Sequence, residues 1–142
     1  VGESTTDEVK EGLVSLGVDV DPHIRSGQLG ILTVAETYLR SGRFSRVEML
    51  SFVTLAVREA LRDGYRGLRA TGEVSWAVEK PELLDEFLRY EALVTSTFAN
   101  RPVKLLCQYD TRNMTGDTIL RVLDAHPFVR GLNTYQNPFH AE

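Results

Sequence analysis

A chain of 142 residues, 42% hydrophobic and 25% charged, has the apolar content for one domain with one core, since a domain of this size buries roughly 70% of its unfolded surface. A net charge of -4, with sixteen scattered Lys and Arg residues, excludes the basic stripe that direct nucleic-acid binding uses to displace phosphate counterions. The single cysteine, Cys107, excludes an intrachain disulfide and fits a reducing compartment, so a cytoplasmic protein is expected.

The chain opens at Val1 with no methionine and passes directly into a helix entry, so upstream sequence is expected. No charged-then-apolar leader is present, and no apolar run approaches the ~20 residues of a membrane span. Ser4, with Asp7 and Glu8 in the following turn, predicts an N-cap, and Val9, Leu13 and Leu16 recur at helical spacing up to Gly17. The stretch VDVDPHIRSG reads as turn-rich, QLGILTV (Gln28–Val34) as a strand, and AETYLRSGRF as a connection. Ser45 with Glu48 predicts a capping box, and Leu50, Val53, Val57 and Leu61 keep one helix face apolar up to Asp63 and Gly64.

YRGLRATGEVSWA reads as a strand running into a loop. Pro81 suits the first position of the next helix, which extends through ELLDEFLRYEALVTSTFA. VKLLCQYD reads as a buried strand of the parallel type, TGDTILRVLDA as a short helix, and HPFVRGL as a final strand with a polar tail. Strands alternating with helices predict one α/β domain over residues 1–142, a mostly parallel sheet flanked by helices with right-handed crossovers.

In an open parallel sheet, ligands sit beyond the carboxyl ends of the strands. Arg69, Thr71 and Glu73 share one face of an extended LRATGE segment; Gln108 and Asp110 share a face of the later strand, with Cys107 and Tyr109 on the other. Leu84, Phe87, Glu91, Val94 and Phe98 fall on one helical stripe, which puts Glu91 in the middle of the face to be buried. A buried carboxylate needs a partner, and Arg69 is the expected one. Such a pair is either a pin between helix and sheet or part of a ligand site.

Trp76, Tyr65, Tyr90 and Tyr109 either line an apolar cavity or are plain core. The three histidines, His23, His126 and His140, lack metal-ligand spacing, so no metal is expected; His126, before Pro127, is expected to cap a helix end. No nucleophile stands beside a base. The three lysines, Lys10, Lys80 and Lys104, precede Glu, Pro and Leu, which rules a Lys-Ser or Lys-Thr phosphate loop out of these residues.

The blocks GVDVDPHIRSGQL, TYLRSGRF, GYRGLRATGEVSWA, YEALVTSTF, LLCQYD, AHPFVRG and NPF, in this order, resemble the MEDS sensory domain, named for methanogens, methylotrophs and the repressor DcmR. The resemblance covers essentially the whole chain. It implies a RecA/KaiC-like three-layer α/β fold used as an input module for DNA-binding, histidine-kinase or anti-sigma-type output parts, and a small hydrocarbon-derived ligand. In related ATPases the strand matching YRGLRATGE carries an acid at a place near Glu73, but the neighbouring arginine and the lack of a phosphate loop speak against ATP hydrolysis. MEDS domains usually open with a further strand, helix and strand, with a histidine near the beginning. Nothing here matches that segment, whose loss would remove a central strand and one pocket wall. A second copy is one way to complete the sheet, which leaves a homo-oligomer open.

The expectation is a non-enzymatic sensory domain without cofactor. It binds a small organic ligand through Arg69, Glu73 and Glu91 at the polar end, Trp76 and Tyr109 on the apolar part, and Gln108 and Asp110 at the rim, and it biases a fused or partner output. A degenerate RecA/KaiC-like nucleotide-binding protein, and a protein–protein module in sigma-factor or kinase control, are the alternatives.

Overall fold

The computed structural model describes residues 4–78, 80–131 and 134–136. The chain divides into two compact units, Val1–Phe44 and Ser45–Glu142.

In the first unit, helix α1 (Thr6–Ser15) is capped by Thr5 rather than Ser4. Thr5 has a glutamate three residues on, and the two close a reciprocal box: Glu8 N donates to Thr5 Oγ1 at 3.2 Å, and Thr5 N donates to Glu8 Oε2 at 2.6 Å. Ser4 has only the shorter Asp7 at that spacing. The helix buries none of its own residues.

Helix α2 (Val20–Arg25) replaces the expected turn. Pro22 lies in its first turn, where a missing N–H leaves no intrahelical bond unmade. Gln28–Val34 is not a strand. A strand needs a neighbour's ladder, and here the backbone and polar groups turn back on themselves: Leu29 N donates to His23 O at 2.9 Å, Thr33 N donates to Glu36 Oε2 at 2.8 Å, and Leu39 N donates to Val34 O at 2.9 Å.

The second unit carries helix α3 (Arg46–Arg62), with Ser45 Oγ accepting from Glu48 N at 3.4 Å. Its buried stripe is Met49, Val53 and Val57: Val53 and Val57 lie on the expected face, Met49 rather than Leu50 starts it, and Leu61 is exposed. Strand β1 (Leu68–Glu73) leads into a short helix, α4 (Ser75–Val78), where a loop was expected. Glu73 Oε1 accepts from Ser75 N at 2.6 Å, which satisfies one of the free donors at that helix start. Helix α5 (Pro81–Phe98) follows, then strand β2 (Val103–Gln108), a 3-10 turn (Thr111–Asn113) and helix α6 (Gly116–Asp124).

Strands β1 and β2 pair in parallel, from Leu68 opposite Val103 to Glu73 opposite Gln108. The pair starts at a tight crossing: Leu68 N donates to Pro102 O at 2.9 Å, and a Cβ on Gly67 would stand 2.2 Å from that oxygen. The expected final strand, β3 (Phe128–Arg130), belongs instead to a separate antiparallel pair with β4 (Thr134–Gln136). The rest of the expected polar tail, with the NPF block and His140, lies outside the described residues. The result is an α/β fold in which the parallel sheet has two strands among the described residues.

Val74, Ala77 and Phe87 are fully buried where α4 meets α5, with Trp76 edge-on to Phe87 at 5.4 Å. On the other flank, Leu84 and Leu88 of α5 pack with Val122 and Ala125 at α6, joined by Tyr109 and Met114. β2 alternates rather than being buried throughout: Val103, Leu105 and Cys107 are half-buried, and Lys104, Leu106 and Gln108 are exposed. Parallel register puts Arg69, Thr71 and Glu73 on the same side as that exposed set. Among the described residues, no helix is long and apolar enough to cross a membrane.

Candidate functional site

Glu91 sits where its helical stripe puts it, inward on α5 and 3% exposed. Its partner is not Arg69. That residue is exposed on the far side of the β1–β2 pair, while Cys107 and Tyr109 point to the side where α5 lies. The carboxylate is held instead by Tyr109, whose hydroxyl donates to Oε2, and by His126, whose Nε2 lies 3.4 Å from Oε1. At that separation the imidazole acts as an ionic neighbour, and Oε1 has no hydrogen-bond partner among the described residues.

His126 caps the end of α6, as its place before Pro127 implied. Its Nδ1 lies 2.7 Å from the Val122 carbonyl, and because a carbonyl only accepts, Nδ1 carries a proton. The Tyr109 ring packs edge-on to the imidazole at 5.8 Å. Burial disfavours a charged His126, but the Glu91 carboxylate, with the Val122 carbonyl, outweighs it and raises the pKa above the ordinary histidine value.

Cys107 completes the group: its Sγ, a Glu91 oxygen and a His126 ring nitrogen all lie within 4.8 Å of one another. Burial first, and then the Glu91 carboxylate beside it, push the thiol far above the ordinary cysteine range. It stays a protonated, weakly nucleophilic group unless a cation arrives.

The sequence-expected site residues therefore separate. Glu91 and Tyr109 meet directly. Arg69, Glu73 and Gln108 lie on the other side of the strand pair, with Glu73 and Gln108 register partners at its carboxyl end. Asp110 is engaged locally: Arg112 donates to it from its backbone N at 3.0 Å and from Nε at 2.9 Å, and the hydrogen bonds hold the Asp110 pKa down at about 2. Trp76 packs on Phe87. Cys107 and His126 were not expected in the site. Their signal was indirect, since alternation already put Cys107 and Tyr109 on one face and the stripe already turned Glu91 inward.

A family model for the MEthanogen/methylotroph, DcmR Sensory domain (MEDS) matches residues 1–127. The chain belongs to the MEDS family. A sensory or regulatory role follows from that membership. This MEDS chain is similar to the transcriptional repressor DcmR of Methylorubrum extorquens (strain DSM 6343 / CIP 106787 / DM4), with 29% identity over 121 residues. The alignment takes in 84% of this chain and spans 41% of the length of that curated relative. No solved structure matches it.

Proposed function

We propose that the chain is a non-enzymatic, cytoplasmic sensory domain. It binds a small organic, hydrocarbon-derived molecule and controls a transcriptional or signalling output through a fused domain or partner protein. Residues 1–142 act as one MEDS domain of RecA/KaiC-like three-layer type, a reading supported by the parallel β1–β2 pair with helices between its strands. One observation carries the ligand reading: a nearly fully buried carboxylate, Glu91, keeps one oxygen with no hydrogen-bond partner among the described residues. Such an oxygen is costly to bury, and a ligand hydroxyl donating to it recovers that cost on binding.

Glu91 and Tyr109 take the polar end of the ligand and Trp76 its apolar part. Glu73, Gln108 and Asp110 form a rim at the carboxyl end of the strand pair, and Arg69, at the amino end of β1, lies outside it. A screen of short alcohols, halogenated alkanes and related compounds by thermal shift tests this. A stabilising compound is expected, and its effect is lost in folded Glu91→Gln and Tyr109→Phe variants. A shift that survives both substitutions puts the ligand elsewhere. ATP turnover abolished by Glu73→Gln overturns the sensory reading in favour of a nucleotidase.

A second reading, a protein–protein module, is favoured by Leu106. It is 48% exposed on the open side of a parallel pair, and parallel sheets are ordinarily covered on both faces. Under that reading the chain sediments as an oligomer or co-purifies with its partner, and Leu106→Lys releases it.

A further inference from the structure

Glu91, Cys107 and His126 bring three different donors together from α5, β2 and the residues after α6, within 4.8 Å of one another. His126 Nε2 and Glu91 Oε1 are already 3.4 Å apart. Two ligands with ~2.1 Å bonds to a tetrahedral ion stand about 3.4 Å from each other, so this edge needs no rearrangement. The thiol has about 1 Å to close at most, which a χ1 adjustment supplies.

Two of the three donors are also aimed by an outer partner. Nδ1 of His126 is committed to the Val122 carbonyl, so the neutral ring presents its lone pair at Nε2, toward the other donors. Oε2 of Glu91 is held by the Tyr109 hydroxyl, which leaves Oε1 as the buried oxygen with no hydrogen-bond partner among the described residues. A cation satisfies that oxygen together with the sulfur and the imidazole.

We propose that Glu91, Cys107 and His126 are the protein ligands of a divalent first-row transition metal of the zinc type, with a fourth position left open. Thiolate and imidazole donors suit such an ion and disfavour magnesium or calcium. Binding transfers the Cys107 thiol proton to solvent, and the sulfur lone pair forms the new bond to the metal. Two anionic ligands then neutralise the ion, so the filled site brings no net charge into the apolar layer. The His126 side chain is 23% exposed, which gives the ion a way in. The inference deepens the sensory reading, because it rests on the same buried carboxylate. Its test reads metal alone, so either can fail without the other.

The 142-residue chain, stripped with a chelator, is titrated with Co2+ and then with Zn2+ in competition with a chromophoric chelator. One equivalent of Co2+ is expected to bind with a thiolate-to-cobalt charge-transfer band and the visible bands of tetrahedral cobalt, all displaced by Zn2+. Cys107→Ser and His126→Ala each weaken Zn2+ binding by about 100-fold or more. Tyr109→Phe keeps all three ligands and weakens it about tenfold, as loss of an outer-shell partner does. Alkylation of Cys107 in the unsubstituted chain needs no variant to fold, and stoichiometric Zn2+ is expected to suppress it. Cobalt binding without a thiolate band, Zn2+ affinity unchanged in folded Cys107→Ser, or Cys107 alkylation indifferent to Zn2+ overturns the site.

Discussion

Replacing Glu91 by leucine or by glutamine separates the two things its carboxylate does. Glu91→Leu strands the Tyr109 hydroxyl, which now donates to Oε2, and an unmade bond at a half-buried donor costs about 1–3 kcal/mol. Leucine regains part of that through its own burial, which leaves a net loss of about 1 kcal/mol when His126 is neutral. When His126 is charged, the variant also leaves an imidazolium buried without the carboxylate 3.4 Å away, and the loss rises to about 2 kcal/mol or more.

The pH dependence has a definite sign. His126 has its folded pKa raised above the unfolded value by Glu91, so the stability this pair contributes is fully present below the unfolded pKa of about 6.5 and is lost as pH rises through the folded pKa. Urea unfolding of chelator-treated protein between about pH 5.5 and 8 measures it. The gap between wild type and Glu91→Leu is expected to be widest at the acid end. Glu91→Gln, which keeps an acceptor for Tyr109, is expected to lose about 1 kcal/mol at the acid end and little at the alkaline end. A leucine variant as stable as wild type throughout, or a gap that widens with rising pH, refutes this account of the cluster.

Gly67→Ala forces a Cβ to within 2.2 Å of the Pro102 carbonyl oxygen, an immobile backbone atom that also accepts the bond from Leu68, so a loss of about 2 kcal/mol or more is expected in denaturant unfolding; an unchanged midpoint contradicts the crossing. Cys107 in metal-free native protein is expected to react with a thiol reagent far more slowly than in urea, because its thiol is held protonated by burial and by Glu91; equal rates contradict that burial. The Asp110 carboxyl is expected to titrate at about pH 2 by NMR and to return part of the way toward the ordinary value of about 3.9 in Arg112→Ala, which keeps only the backbone donor; no change shows that the Arg112 side chain does not hold it.

The helices are legible in the sequence wherever apolar residues recur over two or more turns. That rule finds α3, α5 and α6 nearly to the residue, and the same period turns Glu91 inward. It does not find α2 or α4, which span six and four residues and are too short to show a period. Gln28–Val34 has strand composition but no adjacent ladder, and composition alone does not supply one. The Arg69–Glu91 pair fails for a related reason. Period assigns a residue to a face but leaves open which side of the sheet that face meets. Parallel register between β1 and β2 decides it, putting Arg69 with Lys104 on the open side and Cys107 beneath α5.

The position of the cluster bears on how a sensory domain would report occupancy. Glu91 touches the end of β2 through Tyr109 and the end of α6 through His126, and His126 is tied by its other nitrogen to the last turn of that helix at Val122. A proton, a metal ion or an organic ligand that changes what Oε1 bonds to therefore acts on the imidazole, and through it on the orientation of a helix end that leads directly into β3. Occupancy shifts an output only if it is favoured in one arrangement of that helix end over another. Val122→Pro is a poor probe because it breaks α6, whereas His126→Gln keeps a side chain able to donate to the Val122 carbonyl and removes the ionic link to Glu91. If the link carries the signal, His126→Gln leaves amide exchange at the α6 C-terminus insensitive to an organic ligand that the variant is shown still to bind, while the same amides respond in wild type. An α6 terminus that responds equally in both proteins shows that the signal leaves the site by another route.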